Sequence, residues 1–205
     1  MWLIVVLTYA LIIVLSVVGE IAYQNSATVL LTITYWMLIL QAVYYYLEYR
    51  KVNDETIETF LNFIFAPSAS VLCYWLVGSA MEWEIMSSVW FLDIFTHGIN
   101  VFALALIVIL RRPCIRWNIL YPYTIPIIYI IVTFTYTAIE KTLIYPDNFF
   151  SFLHVEGKQS YAGIGVIILI VPNGLAHLVF YYISQYMSNV YKRCPRKDIS
   201  GINIE

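Results

Sequence analysis

The sequence predicts an all-α membrane protein, a bundle of six transmembrane helices with both termini cytosolic, and three observations lead there. Hydrophobic residues are 61% of the 205 and charged ones 12%, with a mean hydropathy of +0.78, far from a soluble globular composition. The apolar residues gather into six runs, each near or above the ~20 residues that carry a helix across ~30 Å of hydrocarbon. Nine of the eleven Lys and Arg fall on alternate connections, the bias of cytosolic segments.

The first run, from Trp2 to Val18, carries no charge and follows Met1 directly. Without a basic n-region it reads as a first span, not a cleaved signal peptide. The others cover about Thr28 to Leu47, Ile57 to Ala80, Ile85 to Leu110, Ile119 to Ile139 and Tyr161 to Met187. Together they form one transmembrane domain over residues 1–205 that leaves 188–205 as a short basic cytosolic tail and no soluble domain. Arg50 and Lys51 follow span two, Arg111, Arg112 and Arg116 follow span four, and Lys192, Arg193, Arg196 and Lys197 follow span six. The other side receives Glu20, the acidic turn Glu82-Trp83-Glu84 and the loop from Lys141 to Ser160 with Tyr145-Pro146-Asp147. Rich in Phe and Tyr, that loop is expected to lie over the membrane face.

Pro67, Pro122, Pro126 and Pro172 fall inside spans and each removes a backbone donor, so bends facing protein or a wet cavity are expected there. Tyr44, Tyr45 and Tyr46 near the end of span two fit an interfacial aromatic belt. Cys73, Cys114 and Cys194 are too few and scattered for a disulfide framework, and no C-x-x-C pair suggests zinc. Cys114 and Cys194, among basic residues beside the membrane, suit reversible palmitoylation. A net charge of −2 and the lack of any nucleic-acid motif exclude nucleic acid as a partner. No metal or organic cofactor is implied, and the bilayer itself is the expected partner.

The costliest polar groups lie in span four, where Trp90 to Asn100 contains Asp93, His97 and Asn100. At α-helical pitch these three share one face. Asp93 sits about 12 Å from the non-cytosolic end, at 1.5 Å per residue. A carboxylate at that depth costs on the order of 3 kcal/mol and needs a partner inside the bundle. Asp93 could orient His97 as a general base, or the pair could hold helices together. Thr34 in span two, about 9 Å deep from the same side, offers a hydroxyl near that level, as do Thr28 and Thr32 nearer the surface. A transmembrane threonine ordinarily returns its hydroxyl to its own i−4 carbonyl. His177, Asn173 and Glu140 are further candidate cavity liners, with an interhelical hydrogen bond the expected role of His177. Pro172-Asn173-Gly174 at mid-depth of span six also suits a small carrier with its site at a broken helix. The six dissimilar spans, however, show no inverted repeat.

The segment Thr34 to Tyr45, with Gln41-Ala42-Val43-Tyr44-Tyr45 at its end, resembles the T-x-x-x-x-x-x-Q-A-V-aromatic-aromatic stretch of the androgen-induced protein family, which includes the androgen-dependent TFPI-regulating protein. Ala66-Pro67, His97-Gly98-Ile99-Asn100 and Tyr145-Pro146 fall in matching order, so the resemblance covers most of the chain. It implies a six-span protein of the endomembrane system, the endoplasmic reticulum first and the plasma membrane as alternative. It further implies hydrolysis of fatty acid esters of hydroxy fatty acids by a threonine in span two and a histidine in span four. By position the nucleophile is Thr34. The family's working imidazole is the second of an H-G-x-H pattern, where this chain has Asn100, and His97 matches the first. The His-Gly-Ile-Asn spelling is closer to the related rolling stone proteins, associated with myoblast fusion. Two expectations follow. In one the chain is an intramembrane lipid hydrolase with Thr34 as nucleophile, His97 as base, Asp93 behind it and Asn100 as amide donor, acting on a lipid ester. In the other it is a non-catalytic membrane scaffold in which the same residues join helices.

Overall fold

The computed structural model describes residues 2–24, 32–80, 94–111, 115–116, 118–140 and 162–191. Among them it is all-helical. Helices α1 (Trp2–Gln24), α2 (Ile33–Tyr49) and α3 (Asp54–Ala80) are followed by a five-residue π turn (Phe95–Ile99) that leads into α4 (Asn100–Arg111), then α5 (Leu120–Glu140) and α6 (Ala162–Tyr191). Several helices outrun the apolar stretches that announce them: α1 continues past Val18, and α6 extends into what composition marks as tail. Apolarity reports burial in hydrocarbon, whereas helix ends follow capping and hydrogen bonding. Asp93, Thr28, Glu82-Trp83-Glu84, the loop from Lys141 to Ser160, Cys114 and Cys194 lie outside the described residues.

The turn between α2 and α3 shows such an ending. The N–H of Val52 donates to the Leu47 carbonyl (3.2 Å) and that of Lys51 to the Glu48 carbonyl (3.2 Å). This is the paired closure of a Schellman motif, whose C′ residue is left-handed and usually glycine. Here it is Lys51, at φ 53°. A side chain in that region costs roughly 1–2 kcal/mol. Lys51→Gly is therefore expected to stabilise the fold by about 1 kcal/mol, raising the melting temperature in detergent by roughly 2–4 °C. An unchanged or lower value would contradict the strained turn.

Helix α3 is the centre of the bundle, packed against α2, α4, α5 and α6. Its middle explains why: Ala66, Pro67, Ser68 and Ser70 are all buried, and small side chains let neighbouring backbones approach. The helix runs on through Pro67, as α5 does through Pro126 and α6 through Pro172. Pro122 stands in the first turn of α5, where its missing donor has no partner to lose. Gly174, two residues past Pro172, has the Tyr123 hydroxyl lying where a Cβ would stand, so a larger residue there would have to move that side chain of α5.

Polar side chains thread the interior. Tyr9 on α1 donates to Gln41 Oε1 on α2 (3.4 Å), and Gln41 Nε2 donates to Ser68 Oγ on α3 (2.8 Å). Ser68 Oγ in turn donates to the Ile64 carbonyl (2.8 Å). Tyr44 and Tyr45 belong to this interior and not to an interfacial belt: both are buried, and Tyr44 donates to buried Glu48 (2.9 Å). Helical pitch places 41, 44, 45 and 48 on one face and turns Tyr46 outward.

The described residues of the link between α4 and α5 are tied to the bundle. Ile115 is buried and its N–H donates to Ser184 Oγ (3.1 Å), while the Arg116 N–H donates to Asn62 Oδ1 (3.0 Å). His177 Nε2 donates to the Arg116 carbonyl (3.2 Å). Three side chains from α3 and α6 thus pair the backbone groups of buried Ile115 and exposed Arg116.

The exterior is apolar. Leu7, Leu11, Phe102, Ile131, Leu175 and Val179 are all exposed. Two of the described helical stretches, Asp54–Cys73 and Leu120–Glu140, are long and apolar enough to cross a membrane; Leu3–Leu15 and Thr96–Leu110 are shorter apolar helices.

Candidate active site

Helix α2 begins at Ile33 and places Thr34 in its first turn, just after Thr32, whose side chain makes no cap. A first-turn residue has no carbonyl four positions back within its own helix. Elsewhere in the bundle that carbonyl takes the hydroxyl proton: Thr124 donates to the Leu120 carbonyl (2.6 Å) and Thr135 to that of Ile131 (2.8 Å). Buried Thr34 departs from the habit. Its Oγ1 lies 3.1 Å from His97 Nε2, across from α2 to the π turn. Ile33, Met37, Val71 and Tyr129 pack from α2, α3 and α5 beside this end of α2.

His97 lies in the π turn Phe95–Ile99. Such turns close hydrogen bonds five residues apart instead of four and are frequent at functional sites. The half-buried imidazole stacks on Trp75 of α3, with ring centroids 6.0 Å apart and planes 9° from parallel. Its Nδ1 is 3.0 Å from Oγ1 of buried Thr96. Each ring nitrogen therefore meets a threonine hydroxyl, and an aromatic face holds the ring plane.

Of the residues singled out in the sequence, Thr34 and His97 are brought together and Asn100 is not joined to them. The amide of Asn100 turns back on its own chain, where Nδ2 donates to the Thr96 carbonyl (2.9 Å) and Oδ1 accepts from the Val101 N–H (2.7 Å). The shared face of His97 and Asn100 presumed α-helical pitch, and the π turn changes that register. Asn100 instead spans the point where π turn becomes α-helix. Asp93 lies outside the described residues. Glu140 is exposed at the end of α5. His177 is buried but spends its Nε2 proton on the α4–α5 link. Asn173 is buried in α6, which continues through Pro172 as one helix.

Thr96 is the residue that sequence reasoning missed. Neighbours in sequence do not face each other on an α-helix, so a periodicity argument pairs His97 with Asp93 or Asn100 and passes over Thr96. A surface cleft of about 380 Å³ beside the first turns of α3, lined by Asn53, Glu55, Thr56, Thr59, Phe60 and Phe63, contains none of these residues. No protein-family model, curated protein or solved structure matches this chain.

Proposed function

We propose that this chain is a six-span membrane hydrolase of lipid carboxylic esters, with Thr34 as nucleophile and His97 as general base. The carrying observation is the 3.1 Å contact between Thr34 Oγ1 and His97 Nε2, within the reach that proton transfer needs. Thr34 Oγ attacks the ester carbonyl as its proton passes to Nε2. The tetrahedral intermediate then collapses with cleavage of the C–O bond, and His97 returns the proton to the departing hydroxy fatty acid. Water, deprotonated at Nε2, releases the acyl group from Thr34. In the first turn of α2, the Thr34 N–H has no acceptor within its helix and lies at the positive end of the helix dipole, suited to a developing oxyanion.

Membrane embedding is supported by the two stretches long enough to span and by the apolar exterior around a polar-threaded interior, the reverse of a water-soluble surface. The charge bias puts both termini in the cytosol, and with it the Thr34 end of α2 on the opposite side. The likeness to the androgen-induced proteins supplies the substrate class, fatty acid esters of hydroxy fatty acids, and the endomembrane system as location.

One observation favours the non-catalytic scaffold of the rolling stone kind: Asn100, at the position of the family's working histidine, is committed to its own backbone. Release of hydroxy fatty acid by the protein purified in detergent decides between the two. Hydrolysis by the wild type that disappears in His97→Ala supports the enzyme. Equal hydrolysis by both rejects the assignment of His97, and no hydrolysis by the wild type leaves the scaffold.

A further inference from the structure

We infer that Thr96 is a positioning residue that fixes His97 as the tautomer protonated on Nδ1, leaving the Nε2 lone pair for Thr34. A neutral imidazole has one N–H and one lone pair. With a threonine hydroxyl 3.1 Å from Nε2 and another 3.0 Å from Nδ1, two proton registers satisfy the ring. In the first, Thr34 donates to Nε2 and Nδ1–H donates to Thr96 Oγ1. In the second, Thr96 donates to Nδ1 and Nε2–H donates to Thr34. Only the first leaves Thr34 with a base that can take its proton.

The surroundings of Thr34 select the first register. Thr34 is buried, and its hydroxyl has no i−4 carbonyl inside α2 and bonds to His97 alone among the described residues. The second register would bury that proton without an acceptor, whereas Thr96 is not confined to its contact with His97. Thr34 therefore donates, the ring proton resides on Nδ1, and Thr96 accepts it. The π turn brings Thr96 and His97 together, and Asn100 secures the turn through the Thr96 carbonyl and the Val101 N–H. Asn100 thus acts on the imidazole through Thr96, at two removes. Trp75 fixes the ring plane, so the choice of proton is the remaining freedom.

The tautomer stands apart from the catalytic proposal; its consequence for turnover rests on that proposal. The test uses the full chain in detergent with 15N-labelled histidine. Two-bond 1H–15N correlation spectra at neutral pH are compared with those of His97→Asn, which identifies the His97 signals. The expected wild-type pattern has the proton on Nδ1. Thr96→Ser keeps it, and Thr96→Val shifts it toward Nε2 or mixes the two. A wild-type His97 protonated on Nε2, or on both nitrogens, overturns the inference, as does an unchanged pattern in Thr96→Val. If Thr96→Val does not fold, the wild-type and Thr96→Ser spectra decide. In ester hydrolysis, Thr96→Val is expected to lower kcat on the order of tenfold with KM unchanged, about one hydrogen bond's worth, and Thr96→Ser to restore it. Unchanged kcat in Thr96→Val refutes the positioning role. No hydrolysis even by the wild type refutes the catalytic proposal and leaves the tautomer to the spectra.

Discussion

Thr34→Ala is expected to lower turnover of a fatty acid ester of a hydroxy fatty acid by about a thousandfold or more, because it removes the proposed nucleophile. His97→Ala is expected to fall as far, and the double variant no further than either single one, since nucleophile and base act as a unit. Thr34→Ser keeps a hydroxyl on the same carbon and should retain measurable turnover. None of this should reflect unfolding: the lost contact is one part-buried hydrogen bond, about 1 kcal/mol. Liquid chromatography of released hydroxy fatty acid, alongside the melting temperature of each variant, separates lost chemistry from lost structure. Single variants that retain full turnover would remove Thr34 and His97 from the reaction.

The largest stability effect is expected at Gln41, which joins three helices. Its amide nitrogen donates to Ser68 and its oxygen accepts from Tyr9, with the side chain fully buried. Gln41→Leu fills a similar space but takes one partner from each hydroxyl, leaving Ser68 with the Ile64 carbonyl and Tyr9 with Tyr45, a loss of about 2 kcal/mol. Because replacing both ends of a buried hydrogen bond by apolar groups can be nearly neutral, Gln41→Leu combined with Ser68→Ala should destabilise by less than the sum of the two single changes. Thermal unfolding in detergent measures both. An additive double variant would show that Gln41 and Ser68 act independently.

These expectations draw unequally on sequence and structure. The helices and their apolar faces were legible because hydrocarbon-length runs separated by charge admit few other forms. Where helices end was less legible: the α2 terminus depends on a left-handed Lys51, which composition does not mark. Tyr44 and Tyr45 read as a surface belt because a triplet of tyrosines hides that pitch turns two of them inward with Gln41 and Glu48. The ties made by Ile115 and Arg116 were invisible, since they rest on backbone groups meeting Asn62, His177 and Ser184 across distant helices. At the candidate site, depth placed Thr34 near the level of span four and resemblance named it beside His97. Their direct contact required two helices to be neighbours, which no one-dimensional pattern specifies. Thr96 could not be found by periodicity at all, because the π turn breaks the period.

The central claim is that Thr34 carries the acyl group between the two half-reactions, and trapping that group tests it most directly. The purified protein is incubated with an activated fatty acyl ester, quenched in acid and digested, and the peptides containing Thr34 are sequenced by mass spectrometry. The expected result is one acyl group on Thr34 in the wild type and none on that peptide in Thr34→Ala or His97→Ala. Hydrolysis that proceeds with Thr34 unmodified, or an acyl group retained on another residue in Thr34→Ala together with full turnover, would contradict it.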